Sequence, residues 1–396
     1  MVLAMASFAS VVLTMLTSVV FDGTTGVDFG VFRLGGELAS GGDWSSLYDG
    51  ATFSERFQTE LFPGLAEDGT LNTFISTPTF ALAMQPLHWL PFSPALLLWS
   101  LLSVCFAIIS VRSLGLRYPW AVALLLSPAM IVNLAIGQSA ALFLALAVVV
   151  HLSVRLEWSF RAGLALGLLF VLKPPLAVGY GLWWLVSPTR SRRRLAGAIA
   201  GVVIGLAPTL ASGGAAWAAF ADAMRSRVAI ESSWQLNGLS LPEAIKLLNP
   251  QSATWVTLGS WGVSLVVGAL LILAAKRRWP GDDELLSAAA IVVTVLVSPH
   301  LAVYDTALLI IPLAVAHDRG LATERIWLLA AIHGATLAFG RFLFDAQFDV
   351  IGRGLSVEFI GFVASILLVL RWEVDDVGRS LLEVPALDVE SLPEAA

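Results

Sequence analysis

The chain has 396 residues, 57% of them hydrophobic and 13% charged, against roughly 25% charged in an ordinary soluble domain. Its net charge is −6, and the seven acids and one arginine from Glu373 onward account for all of it. Charge therefore indicates no nucleic-acid partner. Apolar runs of about 17 to 22 residues recur along the chain, each long enough to cross ~30 Å of hydrocarbon. They are continuous rather than alternating, which excludes a β-barrel and predicts an all-α polytopic membrane protein.

The first run, residues 1–21, has no basic leader and no small-residue cleavage site, and reads as a retained helix rather than a signal peptide. Further spans are expected near 94–112, 118–135, 138–154, 160–172, 175–187, 195–212, 254–275, 285–299, 303–317, 325–343 and 355–371. The apolar stretch 78–91, broken by Pro86, His88 and Pro91, is too short to cross upright. If it stays outside, Arg112, Arg117, Arg155, Arg161, the cluster Arg190 to Arg194, Lys276 to Arg278, Arg319, Arg325 and Arg371 share one side. The positive-inside rule favours that arrangement. It gives about twelve spans in one domain over 1–372, both termini in the cytoplasm, and 78–91 as a helix on the outer surface. The remainder, 373–396, is an acidic cytoplasmic tail expected to be disordered.

This topology sends the basic clusters inward, where orientation explains them, and the unusual polar residues outward. The first outer loop, 22–93, holds Asp22, Asp28, Glu37, Asp43, Asp49, Glu55, Glu60, Glu67 and Asp68. Most of these acids read as solvated. Asp28 differs, because it lies between Val27 and Phe29 and opens an amphipathic stretch at helical spacing. A carboxylate there serves as an N-cap or as a chemical group, and the residues alone leave both open.

Lys173 separates two short spans and is followed by Pro174 and Pro175, which end the helix. It either snorkels inertly or holds an anion, a lipid phosphate being the one at hand. The second outer loop, 213–253, carries Arg225, Arg227, Glu231, Trp234, Gln235, Asn237, Ser240, Glu243 and Lys246. Aromatic and amide side chains suit a sugar, and an interfacial amphipathic helix explains them equally; Trp217 fits an aromatic belt. In the turn from Ser298 to Asp305, His300 is able to donate to a phosphate or tune a carboxylate, and Asp305 to orient His300 or cap the next helix. The one cysteine, Cys105, and five dispersed histidines offer no disulfide and no metal-ligand spacing. No nucleotide-binding or hydrolase motif is present, and few charges lie within the spans, against a proton-coupled transporter.

Taken in order, Asp28-Phe29, Gly42-Asp43, Leu47-Tyr48, Phe74 through Phe80 into Gln85-Pro86-Leu87, Leu98-Trp99, Gly137-Gln138, Lys173-Pro174, Asn237-Gly238-Leu239-Ser240 and Ser298-Pro299-His300 through Tyr304-Asp305 resemble glycosyltransferase family 87, within the GT-C superfamily. The resemblance implies a GT-C-type helical bundle in the inner (plasma) membrane with its active site on the extracytoplasmic face. It implies inverting transfer of a sugar, typically mannose, from a polyprenyl phosphate to a lipid-linked or periplasmic glycan acceptor, without a nucleotide donor; no cofactor is expected, and no bound metal is required if the cationic side chains suffice. By the same resemblance Asp28 is the general base, and Lys173 and His300 bind the donor phosphate; the chemistry, which needs cationic help for the departing phosphate, adds Arg225 as a further candidate. Asp43, Gln138, Asn237, Tyr304 and Asp305 are candidate substrate contacts. At Ser76-Thr77-Pro78 the chain lacks the family's Tyr and one Pro, which bears on the mannose preference. The alternative is a transporter or flippase of a lipid-linked sugar.

Overall fold

The structure, a computed structural model, describes residues 25–63, 73–187, 191–212, 214–230, 240–242, 245, 254–298 and 302–320. Among these, all regular structure is helical. The expected spans 2–21, 325–343 and 355–371, the tail, His300 and Asn237 lie outside the described residues.

The first outer loop folds as short helices: α1 (Val27–Ser40), α2 (Trp44–Tyr48), α3 (Gly50–Glu60) and α4 (Pro78–His88). Helices α2 and α3 start where Asp43 and Asp49 accept hydrogen bonds from the amides of Ser46 (3.1 Å) and Thr52 (2.8 Å), satisfying donors that a helix start leaves unpaired. Helix α1 packs along α4, with Phe32 edge-on to Phe80 at 5.0 Å. Arg33 ties them further by donating to the carbonyls of His88 (3.2 Å) and Leu90 (3.1 Å) at the end of α4, where carbonyls lack helical partners.

The bundle follows: α5 (Phe92–Ser113), α6 (Tyr118–Leu125), α7 (Pro128–Ile136), α8 (Ala140–Arg155), α9 (Ser159–Leu172), a 3-10 turn (Pro174–Ala177), α10 (Val178–Val186), α11 (Arg192–Leu206), α12 (Ala215–Ile230), α13 (Thr254–Arg278), α14 (Asp283–Val297), a 3-10 segment (Val303–Leu309) and α15 (Ile310–Asp318). Three helical stretches, Phe92–Ser113, Arg192–Leu210 and Trp255–Arg278, are long and apolar enough to cross a membrane, or four spans if a bent pair is counted. The other apolar helices are shorter, so the described residues support fewer full-length crossings than the twelve expected. The bent pair occupies the span expected near 118–135 and breaks it in two. It turns by 59° at Ser127-Pro128, where proline lacks an N–H and blocks the helix before it while Ser127 caps α7 by accepting from Met130 N (3.3 Å).

The tightest packing joins α9 and α11, which run parallel. A Cβ on Gly163 would stand 2.0 Å from Arg194 O, on Gly167 2.3 Å from Ala198 O, on Gly197 2.1 Å from Phe160 O and on Gly201 2.2 Å from Leu164 O. Glycines four apart on both partners let the backbones touch, the small-residue packing that holds helices together in lipid. Since α9 ends at Lys173, this contact fixes the height at which that lysine emerges.

At the other end of the bundle, α14 begins among ion pairs. Asp283 meets Arg194 (3.2 Å), Ser187 Oγ (2.7 Å) and Trp183 Nε1 (3.1 Å), and Arg319 bridges Asp282 (2.8 Å) and Glu284 (2.9 Å). Arg155 pairs with Asp318 at 2.9 Å. These arginines, which charge orientation alone was expected to explain, therefore also clamp helix ends together. Arg194, at 3% exposure, is retained inside the protein by a partner and an aromatic face at 4.7 Å.

Candidate active site

The Gly137-Gln138 turn is the foundation of the site. Gly137 ends α7 in the left-handed region (φ 75°), where a side chain is disfavoured, and a Cβ there would lie 2.4 Å from Phe29 Cβ. Opposite it, Gly26 (φ 75°) opens α1 and donates to Ala135 O at 2.8 Å. The start of α1 is thereby pinned against the end of α7. Trp99 of α5 closes the turn from a third side, its Nε1 donating to the carbonyls of Gly137 (3.0 Å) and Gln138 (3.1 Å). Asn133, fully buried, accepts from Ala140 N at 2.8 Å.

Asp28 lies in the first turn of α1, but α1 has Gly26 as its N-cap and no side-chain cap. Of the two readings left open by the sequence, capping is thus not the one the geometry uses. The Asp28 carboxylate instead reaches across 110 residues of chain to accept from Gln138 Nε2 at 2.5 Å. Burial pushes its pKa up to about 6, against the lowering effects of the Gln138 hydrogen bond and the Lys173 charge. A carboxyl titrating there is ionised at neutral pH yet still basic enough to take a proton.

Lys173 is the next part. Pro174 bars the lysine from helical geometry, and Lys173 leaves α9 at φ −146°, ψ 77°. Its ammonium meets Asp305 Oδ1 at 2.5 Å and lies 5.2 Å from the ring centre of Phe143 and 5.3 Å from that of Tyr304. The Asp305 side chain is 1% exposed and that of Lys173 20%, so the cation forms the open side of the pair. Asp305 Oδ2 also accepts from Ala302 N at 3.3 Å; it caps its own segment and holds the lysine at once.

Five of the candidate residues, Asp28, Gln138, Lys173, Tyr304 and Asp305, thus come together from four separate stretches of chain. Others fall elsewhere. Asp43 caps α2, and hydrogen bonds from Ser46 hold its carboxyl below the ordinary range. Arg225 is exposed on α12 and paired with Asp222 at 2.6 Å. Trp217 packs on Phe220 at 5.8 Å and donates to Thr209 Oγ1 at 2.8 Å, so it joins α12 to the end of the α11 segment. Sequence reading missed Phe143 and Asn133, since one apolar and one amide side chain inside a hydrophobic run carry no periodic signal. No group of acids, histidines or cysteines suited to a metal ion occurs among the described residues.

Chemically, the site presents a carboxylate within the electrostatic reach of an ammonium, both partly open, in an otherwise apolar surround. That pairing can accept a proton from one reactant while stabilising negative charge on another. Among known proteins, the model of glycosyltransferase family 87 matches residues 74–299. No curated protein and no solved structure matches.

Proposed function

Because the chain belongs to glycosyltransferase family 87, we propose that it is an inverting enzyme of the cell membrane that moves a sugar from a polyprenyl phosphate to a lipid-linked or periplasmic glycan acceptor. Hexose is the class of sugar and mannose the first candidate. The proposal includes twelve spans, cytoplasmic termini and a site facing outward, with 22–93 and 213–253 forming its outer loops. Asp28 precedes the matched residues, so its role rests on geometry. The carrying observation is its carboxylate, bonded to Gln138 and within the field of Lys173.

The step is a single displacement. The acceptor O–H bond breaks and its proton goes to Asp28, while the acceptor oxygen forms a bond to the anomeric carbon. The bond from that carbon to the phosphate oxygen breaks, and its electron pair leaves with the phosphate. Lys173 spends one of its three N–H groups on Asp305 and offers the others to that phosphate. A fixed cation in a low-dielectric surround stabilises the departing charge far more than it would in water.

The test is incubation of the purified protein, in lipid, with polyprenyl-phosphate mannose or glucose and membrane lipids, followed by mass analysis. A lipid or glycan heavier by one hexose supports the reading. Movement of the donor across the bilayer with no transfer would replace it with the flippase alternative.

A further inference from the structure

Gln138 is held at every polar position. Its backbone N–H donates to Asn133 O (2.7 Å), its carbonyl accepts from Trp99 (3.1 Å), and its side-chain Oε1 accepts from Ser139 N (3.2 Å). That last bond fixes the direction of the amide, whose Nε2 faces Asp28 Oδ2. A flipped amide would set an oxygen against the carboxylate and an N–H against the Ser139 N–H, losing both bonds. The residue is only 9% exposed, which leaves little of it for a ligand.

Asp28 Oδ1, by contrast, has no hydrogen-bond partner among the described residues. The other charge acting on the carboxylate is Lys173, itself paired with Asp305 and beside the Tyr304 ring. Helices α2 and α7 bring no charged side chain. On α4 the ionisable group is His88, which meets Ser40 at 3.4 Å at the far end of α1. On α3, Arg56 is occupied by Glu37 (3.1 Å) and Glu60 (2.8 Å).

We infer that Gln138 is a positioning residue rather than a sugar contact: it occupies Asp28 Oδ2 and turns Oδ1 toward the acceptor hydroxyl, so Oδ1 is the oxygen that takes the proton. The inference rests on the reading of Asp28 as base. A donated hydrogen bond favours the ionised carboxylate, so its loss moves the acid limb of activity upward.

The experiment compares the pH profile of kcat/KM for the full-length wild type, Gln138→Met and Gln138→Glu in lipid, using polyprenyl-phosphate mannose, or the hexose donor that the wild type accepts. In Gln138→Met the acid limb moves up by roughly one pH unit, kcat on the plateau falls, and KM for the donor is unchanged. Gln138→Glu, of the same shape, sets a second carboxyl beside the first and moves the limb further up. A raised KM with an unmoved limb marks a substrate contact, and a uniform drop at every pH marks a merely structural role; either overturns the inference. Asp28→Asn separates the two levels of the argument. If it transfers sugar at the wild-type rate, the base reading falls and takes this inference with it. If Asp28→Asn is inactive but both Gln138 variants keep the wild-type limb, only the positioning role falls.

Discussion

Replacing Lys173 with Met tests the assembly through stability before any substrate is known. The change keeps an unbranched side chain but removes the cation from Asp305, whose side chain is 1% exposed. Breaking a buried pair from one side costs about 3–5 kcal/mol. Lys173 is 20% exposed, so solvent already screens part of the pair, and about 2–4 kcal/mol is the expected loss. The assay is unfolding in detergent followed by tryptophan fluorescence, with Asp305→Leu and the double variant completing a double-mutant cycle. The double variant should recover most of the loss, because it strands no charge. A Lys173→Met protein as stable as wild type at pH ~8, or a loss that Asp305→Leu fails to relieve, would refute the buried pair.

Three further outcomes follow from the same geometry. The acid limb of kcat/KM should centre near the Asp28 pKa of about 6, activity falling about tenfold per pH unit below it, as a rate profile in buffered vesicles would show. Because that pKa is raised above the ordinary 3.8, the ionised carboxylate weighs against the fold. This burden is absent below pH ~4, grows as pH rises and is complete above about 6. Asp28→Asn should accordingly be more stable than wild type by about 1–2 kcal/mol at pH ~8, after discounting for partial exposure, with no gain at pH ~4. At the helix pair, Gly201→Val would place a Cβ 2.2 Å from Leu164 O, where only backbone can yield, so a loss at or above the usual overpacking range of about 1–3 kcal/mol is expected. Gly181→Ala, with nothing within 4 Å, is the control and should gain about 0.5–1 kcal/mol, both read from thermal melts.

How far the sequence discloses this site depends on whether the signal is local. Most described helices coincide with apolar runs, and Lys173-Pro174 announces a helix end because proline acts on its immediate neighbour. Asp28 stands out because a carboxylate between apolar residues is expensive wherever the chain goes. That Asp28 meets Gln138 and Lys173 meets Asp305 was beyond reach, as these contacts span 110 and 132 residues with no repeating pattern to register them. The glycines at 163, 167, 197, 201 and 205 are a different case. Their four-residue spacing is a readable sign of close helix packing, though length and hydropathy alone do not register it. Ser127-Pro128 likewise carried the break in 118–135, hidden by the unbroken apolar composition around it. The cap that Asp43 makes was legible as well, since an aspartate three residues before Ser46 has the spacing of an N-cap bond.

The central claim is that Asp28 is the base, and donor binding and transfer measured side by side on Asp28→Asn test it most directly. With polyprenyl-phosphate mannose in lipid, or the hexose donor that the wild type accepts, the variant should bind donor at the wild-type Kd, since Lys173 and Asp305 are untouched. Its transfer should fall by about 10²–10⁴-fold. A folded Asp28→Asn protein that transfers sugar at the wild-type rate would contradict the account.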